Sequence, residues 1–201
     1  MCPERAARWR CSASASWRRQ ISVVFQDFTR YSLIARENIA IGDVTRAADL
    51  EAVKVAAARG GADELIERLP DGYDTMLGRR FSGAGNEGVD LSGGEWQKIA
   101  LARAFFRSQE NGTPGAQLLI LDEPTAALDA RAEHALFQRF KELTRDKATL
   151  LISHRFSTVR MADVIAVMED GRITELGSHD DLTARGGTYA RLYAMQAERY
   201  A

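Results

Sequence analysis

Short unbroken apolar runs alternate along this chain with longer stretches in which apolar positions recur every three or four residues. The run "ISVVF", Ile21 to Phe25, is short, rich in β-branched residues and without helical period, so it predicts a buried strand. From Leu33 to Arg68 the spacing turns helical: "LIARENIAI" and "ADLEAVKVAAARGGADELIERL" place apolar residues three and four apart. "LPDGYDT" supplies Pro70, Asp71 and Gly72 as breakers and predicts a turn, and the glycine-rich "GRRFSGAGNEG" reads as a loop. Helical spacing returns in "LSGGEWQKIALARAFFR", where Ile99, Leu101, Ala102 and Phe105 share one face. "QLLILDE" is a second strand, bounded by "NGTPG" before it and Pro124 after it. "ARAEHALFQRFKELTRD" predicts an amphipathic helix and "ATLLIS" a third strand. "VIAVMEDGRITELG" predicts a hairpin turning at "EDGR", and "GTYARLYAMQAERY" a last helix. Short apolar strands separated by helices predict an α/β layer fold, its parallel sheet covered on both faces. A helical stretch interrupts that sheet between its first and second strands.

Composition narrows the picture by exclusion. The 201 residues suit one domain, with or without an inserted subdomain, and 45% hydrophobic and 27% charged residues are ordinary globular values. A net charge of −1 gives no sign of a nucleic-acid binder. Apart from Lys54, Lys98, Lys141 and Lys147 the basic residues are all arginine, which reads as a coding bias rather than as function. Cys2 and Cys11 both lie at the start, which argues against a disulfide framework and against a metal site. The cysteine-free remainder suits a reducing cytosol. No apolar run approaches the about 18 residues that span a bilayer, and the start lacks the apolar core of a secretory signal. Residues 1–16 have no apolar period; their Arg, Ser and Ala content faintly resembles a transit peptide, but they read as a disordered or artefactual tail.

The chemistry sits in two segments. In "LLILDEPTAALD" a strand ends in Asp122 and Glu123, which places two carboxylates at the edge of a parallel sheet where α/β folds bind ligands. Asp122 suits a magnesium ion or its bound water, and Glu123 suits orienting and deprotonating an attacking water. Taken alone, such a strand end is as often a pair of solvated acids. In "LSGGE" Ser92 can cap a helix, while Gly93 and Gly94 let backbone N–H groups approach a phosphate at its positive end. Among the remaining candidates, His154 alone would read as a hydrogen-bonded strand-end histidine, His134 as exposed and His179 as a residue that helps begin a helix. Trp96 reads as packing; Tyr189, Tyr193 and Tyr200 read as packing or surface residues rather than an adenine platform.

Together these segments resemble the ATP-binding-cassette (ABC) ATPases over about Ser16 to Ala201. "LSGGEWQKIALARA" is similar to that family's signature segment, "LLILDEPTAALD" to its Walker B strand and D-loop, "LLISHR" to its switch histidine and "VVFQD" to its Q-loop. "FQDFTRYSLIARENIAI" and "LPDGYDTMLG" look most like the nucleotide-binding domains of exporters. The resemblance implies a P-loop NTPase-like α/β fold, a mostly parallel sheet covered by helices, with a helical subdomain over about 28–107. It implies ATP and Mg as cofactors. Gln26 is expected to reach the magnesium and the attacking water, Asp122 to hold the metal, and Glu123 and His154 to serve catalysis, His154 at the γ-phosphate. Ser92, Gly93, Gly94 and Glu95 are expected to serve the nucleotide of an opposite subunit, and Asp129 to lie at the dimer interface. The implied partners are a second nucleotide-binding domain, identical or different, and a transmembrane domain. The implied place is the cytoplasmic face of the plasma (inner) membrane, peripheral through its partner.

One family element is missing from the text of the chain. No glycine precedes any of the four lysines, so the phosphate cradle G-x-x-x-x-G-K-[ST] is absent. Only 25 residues precede Gln26, and the resemblance fades before Ser16. The expectation is a partial nucleotide-binding domain over 17–201, its first strands and P-loop missing through a frameshift, a misplaced start or gene decay. Such a chain is expected neither to bind ATP tightly nor to hydrolyse it alone. Two further readings stand beside the exporter ATPase: an inactive remnant or non-catalytic partner supplying only its signature motif, and a soluble ABC ATPase of DNA repair or translation. The transported substrate is selected by membrane helices and leaves no mark on this sequence.

Overall fold

The computed structural model describes residues 14–78, 88–108, 115–124 and 147–197. The helix expected over "ARAEHALFQRFKELTRD" lies outside these residues, as do Asp129, His134, Tyr200 and both cysteines. The chain divides into two compact units, Met1–Leu150 and Leu151–Ala201.

The first unit opens with α1 (Ser14–Arg19) and β1 (Ile21–Val24), followed by α2 (Ala35–Ala40), α3 (Leu50–Gly60) and α4 (Asp63–Glu67). Then come α5 (Gly93–Ser108), β2 (Leu118–Asp122) and the start of β3 (Ala148–Ile152). Helix α1 begins inside the stretch read as an aperiodic tail; six residues are too few for a 3.6-residue period to show. Helix α3 has ordinary local causes. The Asp49 carboxylate accepts the Ala52 N–H at 3.0 Å, and Gly61 ends the helix at φ +71°. Its buried positions Val53, Ala56, Ala57 and Gly60 form one stripe, which packs on α5. At Gly60 a Cβ would sit 2.6 Å from the Ala102 backbone nitrogen, so only glycine lets the two helices approach this closely.

Helix α5 is buried more widely than its sequence face predicts. Trp96, Ala100, Ala104 and Phe106 are buried along with the expected Ile99, Leu101, Ala102 and Phe105. The reason is that α5 packs on α2 and α3 and also on β1. On the strand side, the buried Ser22 hydroxyl donates to the Ala104 carbonyl at 3.0 Å. Strands β1 and β2 are parallel, in the register Ile21 to Leu118 through Val24 to Leu121, and the sheet order is β1-β2-β3. Along β1 and β2 buried and half-buried residues alternate, and most of β3 is exposed, Leu150 at 52%. An apolar run shows what a strand can bury, not what covers it. Strand β1 also stops one residue short of the predicted run, leaving Phe25 60% exposed.

The second unit contains α6 (Phe156–Val159), the antiparallel pair β4 (Ile165–Glu169) and β5 (Arg172–Gly177), α7 (His179–Arg185) and α8 (Thr188–Ala197). The hairpin turns at Asp170 and Gly171, φ +51° and +75°, where the sequence predicts it. Two left-handed residues match the right-handed twist of the flanking strands. The core is small: Ile165, Leu182 and Tyr189, with Phe156, Val159, Ala162 and Val167 packed around them.

Candidate nucleotide site

The parallel register decides which residues leave the sheet together. Val24 pairs with Leu121, so Gln26 and Glu123 each follow the last pair by two residues, and Asp122 is the final residue of β2. All three emerge at one sheet edge, Gln26 exposed and the two acids half-buried. Glu123 adopts φ +45°, a left-handed conformation that costs a non-glycine residue about 1–2 kcal/mol. Pro124 follows and disfavours the right-handed helical alternative. Strain of this kind persists where surrounding structure enforces it, and functional sites are where it clusters.

Helix α5 contacts the residue that follows Glu123. Gln97, 2% exposed, donates its side-chain N–H to the Pro124 carbonyl. Its Oε1 is buried and has no hydrogen-bond partner among the described residues. The signature helix is thus tied to the turn that carries Glu123. Sequence reasoning passed over Gln97, although a glutamine one helical turn before buried Leu101 is a legible signal.

At the start of α5, the Ser92 N–H donates to Glu95 Oε2 at 2.8 Å and the Glu95 N–H donates to Ser92 Oγ at 3.3 Å. This reciprocal capping box fulfils the capping expected of Ser92. The hydrogen bonds from Ser92, its backbone N–H first, hold the Glu95 carboxyl below the usual range. Gly93 and Gly94 form the half-buried first turn.

The segment after Gln26 is latched to the same helix. Arg103 donates to the Asn38 carbonyl at 3.0 Å, the Thr29 carbonyl at 3.2 Å and Asn38 Oδ1 at 3.3 Å. Its guanidinium carbon lies 4.8 Å from the centre of the Tyr31 ring. Asn38, fully buried, donates to the carbonyls of Tyr31 and Leu33 at 3.0 Å each. Burial pulls the Arg103 pKa below that of a free arginine. Neither Arg103 nor Asn38 stood out in the sequence, because most of their partners are backbone carbonyls.

His154 belongs to the second unit, two residues beyond β3, and is exposed. Its carbonyl accepts the Gln196 side-chain N–H at 3.0 Å. His179 is the first residue of α7, as expected, and its Nδ1 lies 2.8 Å from the Tyr189 hydroxyl. Trp96 and Tyr189 are buried and Tyr193 half-buried, which agrees with their packing reading.

The residues at the sheet edge fit a magnesium–nucleotide complex in their donor chemistry. Gln26, Asp122 and Glu123 offer hard oxygens, and among the described residues no group of three His, Cys, Asp or Glu could cage a metal. Magnesium is commonly held this way, by one or two carboxylates together with substrate phosphates. The pattern G-x-x-x-x-G-K-[ST] does not occur in the sequence.

Comparison with known proteins gives the family. Residues 5–126, more than half the chain, match the ABC transporter family. The cyclolysin secretion/processing ATP-binding protein CyaB of Bordetella pertussis is 45% identical over 92% of this chain and 24% of its own length. The ATP-dependent lipid A-core flippase of Aromatoleum aromaticum is 44% identical over 89% of this chain and 27% of its own. A bacterial Atm1-family ABC exporter with ATP bound superimposes with a TM-score of 0.76 at 36% identity, covering 91% of this chain and 29% of that one. The chain spans about a quarter of the length of the curated relatives it matches. The mixed α/β fold, with its parallel strands and helices, is the P-loop NTPase-like fold of these proteins. The chain belongs to the ABC transporter family.

Proposed function

We propose that this chain is part of the ATP-hydrolysing element of an exporter, acting beside a transmembrane domain and a second nucleotide-binding domain. The observation that carries the reading is the β1–β2 register, which delivers Gln26, Asp122 and Glu123 to one sheet edge. Relatives named for secretion, lipid flipping and multidrug export support the exporter class over a soluble repair or translation ATPase. In this reading Asp122 and Gln26 hold magnesium, which when bound neutralises charge building on the phosphates. Glu123 orients the attacking water and accepts its proton. His154 meets the γ-phosphate. Ser92, Gly93 and Gly94 open a 16-residue helix whose N-terminal end offers N–H groups to a phosphate, supplied in trans to the opposite nucleotide, and Asp129 lies at that interface. The domain occupies 17–201, with the helical subdomain over 28–107, at the cytoplasmic face of the plasma membrane.

Phosphoryl transfer depends on positioning and charge stabilisation, and the P-loop lysine and backbone supply much of both. The chain alone is therefore expected to bind ATP weakly and to leave it unhydrolysed. The test compares the purified chain with the assembly extracted in detergent from its own cells. The expected result is no micromolar ATP binding by the chain and magnesium-dependent turnover by the assembly, with Glu123→Gln lowering turnover about 100-fold or more. Micromolar binding by the chain alone, or full turnover by the E123Q assembly, overturns the reading.

A further inference from the structure

The loop that carries His154 is held by one side chain at two points. Gln196 Nε2 donates to the His154 carbonyl at 3.0 Å, and Gln196 Oε1 accepts the Phe156 N–H at 3.4 Å. One planar amide thus pairs with the backbone on both sides of Arg155, as a neighbouring strand would. Within the loop, the Arg155 N–H donates to Ser153 Oγ at 3.0 Å. These contacts hold the backbone from Ser153 to Phe156, and His154 is exposed.

The clamp has a rigid mount. Gln196 follows Tyr193 by three residues and Tyr189 by seven on α8, so the three share one helix face. The Phe156 ring lies 5.5 Å from the Tyr189 ring and 5.6 Å from the Tyr193 ring, centre to centre, so α8 grips Phe156 by ring and by backbone. The other end of α8 is anchored too: the Glu175 carboxylate accepts the N–H groups of Thr188 and Tyr189. Gly187 leaves room for that carboxylate, because a Cβ there would sit 2.4 Å from Glu175 Oε1.

We propose that Gln196 is a positioning residue for His154: its amide clamps the loop, so that the seating of α8 sets how the imidazole is presented. This rests on the reading of His154 as the residue that meets the γ-phosphate. The clamp makes the carboxy-terminal helix part of the catalytic apparatus without touching substrate.

Residue-resolved amide exchange on the full chain tests the clamp. Gln196→Leu keeps the bulk and removes both hydrogen bonds. Gln196→Glu keeps an acceptor for the Phe156 N–H but sets an anionic oxygen against the His154 carbonyl. The expected result is Phe156 exchange about tenfold faster in Q196L and near wild type in Q196E, with His154 ring resonances displaced in both and Leu182 and Tyr189 exchange unchanged. Equal Phe156 exchange in Q196L and wild type overturns the clamp. So does a rise at Phe156 matched at Leu182 and Tyr189, which marks general loosening. In the cell-extracted assembly, Q196L lowers kcat and leaves the KM for ATP unchanged; an unchanged kcat overturns the positioning role. An H154A assembly with full turnover removes the catalytic reading of His154 and leaves the exchange result standing, so the two failures are distinguishable.

Discussion

The turn that carries Glu123 is tied from the interior, by Gln97 on a helix buried along most of its surface. The loop that carries His154 is tied from the outside, by Gln196 near the end of a helix whose one fully buried residue is Tyr189. The first tie belongs to a unit with a large core, where Ile39, Ile66, Leu77, Trp96, Ile99 and Leu101 are all essentially inaccessible. The second belongs to a unit whose described core is Ile165, Leu182 and Tyr189. Regions with few buried apolar contacts open at lower free energy than cores do. The contrast predicts that the carboxylate edge is the firmer region and that the histidine loop opens first.

The widest test of that contrast is to remove a large buried side chain from the first unit's scaffold. Trp96→Ala empties a site 1% exposed at the start of α5 and is expected to cost about 3–5 kcal/mol by chemical denaturation. A loss near 1 kcal/mol would mean that α5 is not part of the firmer region. Next comes the latch on the segment after Gln26. Arg103→Lys keeps the charge but cannot fork to Asn38 and Thr29; leaving these groups short of a donor is expected to cost about 1–3 kcal/mol. Full stability in R103K would show that the fork is incidental. In the second unit, Tyr189→Phe deletes only the hydroxyl that meets His179 and keeps the ring between Phe156 and His179. The expected cost is about 1 kcal/mol, seen as faster exchange in α7 and α8 rather than in α5. Equal loosening of α5 would mean that the two units do not open separately.

Much of the scaffold was legible because its causes are local. The period of Val53, Ala56 and Gly60 gives α3, and "EDGR" gives the hairpin through two residues that tolerate positive φ. "LLILDE" gives β2, and the signature segment gives α5 with its Ser92 cap. The arrival of Gln26 and Glu123 at one sheet edge was less legible, since register is a property of two distant segments. Least legible were the residues that tie elements together. Gln97, Arg103 and Gln196 all act on backbone carbonyls, and a carbonyl partner has no letter in the sequence. The full burial of α5 was missed for a related reason: a helix face is named by its own residues, but the number of buried faces depends on what packs around it.

The finest comparison lies in a device that both units share. In the first, Ser92 and Glu95 cap α5; in the second, Ser178 and Asp181 cap α7, the Ser178 hydroxyl donating to Asp181 Oδ2 at 2.7 Å. Both carboxyls are held below their ordinary pKa, Glu95 chiefly by the Ser92 backbone N–H and Asp181 chiefly by the Ser178 hydroxyl. A carboxyl whose pKa is lower folded than unfolded contributes stability above its unfolded value of about 4, and loses it as pH falls through the folded value. Both caps are therefore complete at neutral pH and fail in acid. E95Q keeps a side chain able to complete the box but cannot titrate, so wild type is expected to exceed E95Q in stability at pH 7 by well under about 1 kcal/mol, solvent screening included. That margin should vanish below pH 4, measured as the difference in denaturation midpoints. For Asp181→Asn the acid dependence should run in the same direction, read as exchange in α7. A margin for E95Q that persists unchanged into acid would mean that the Glu95 charge is not what secures the start of the signature helix. The cap would then be a matter of shape alone in both units.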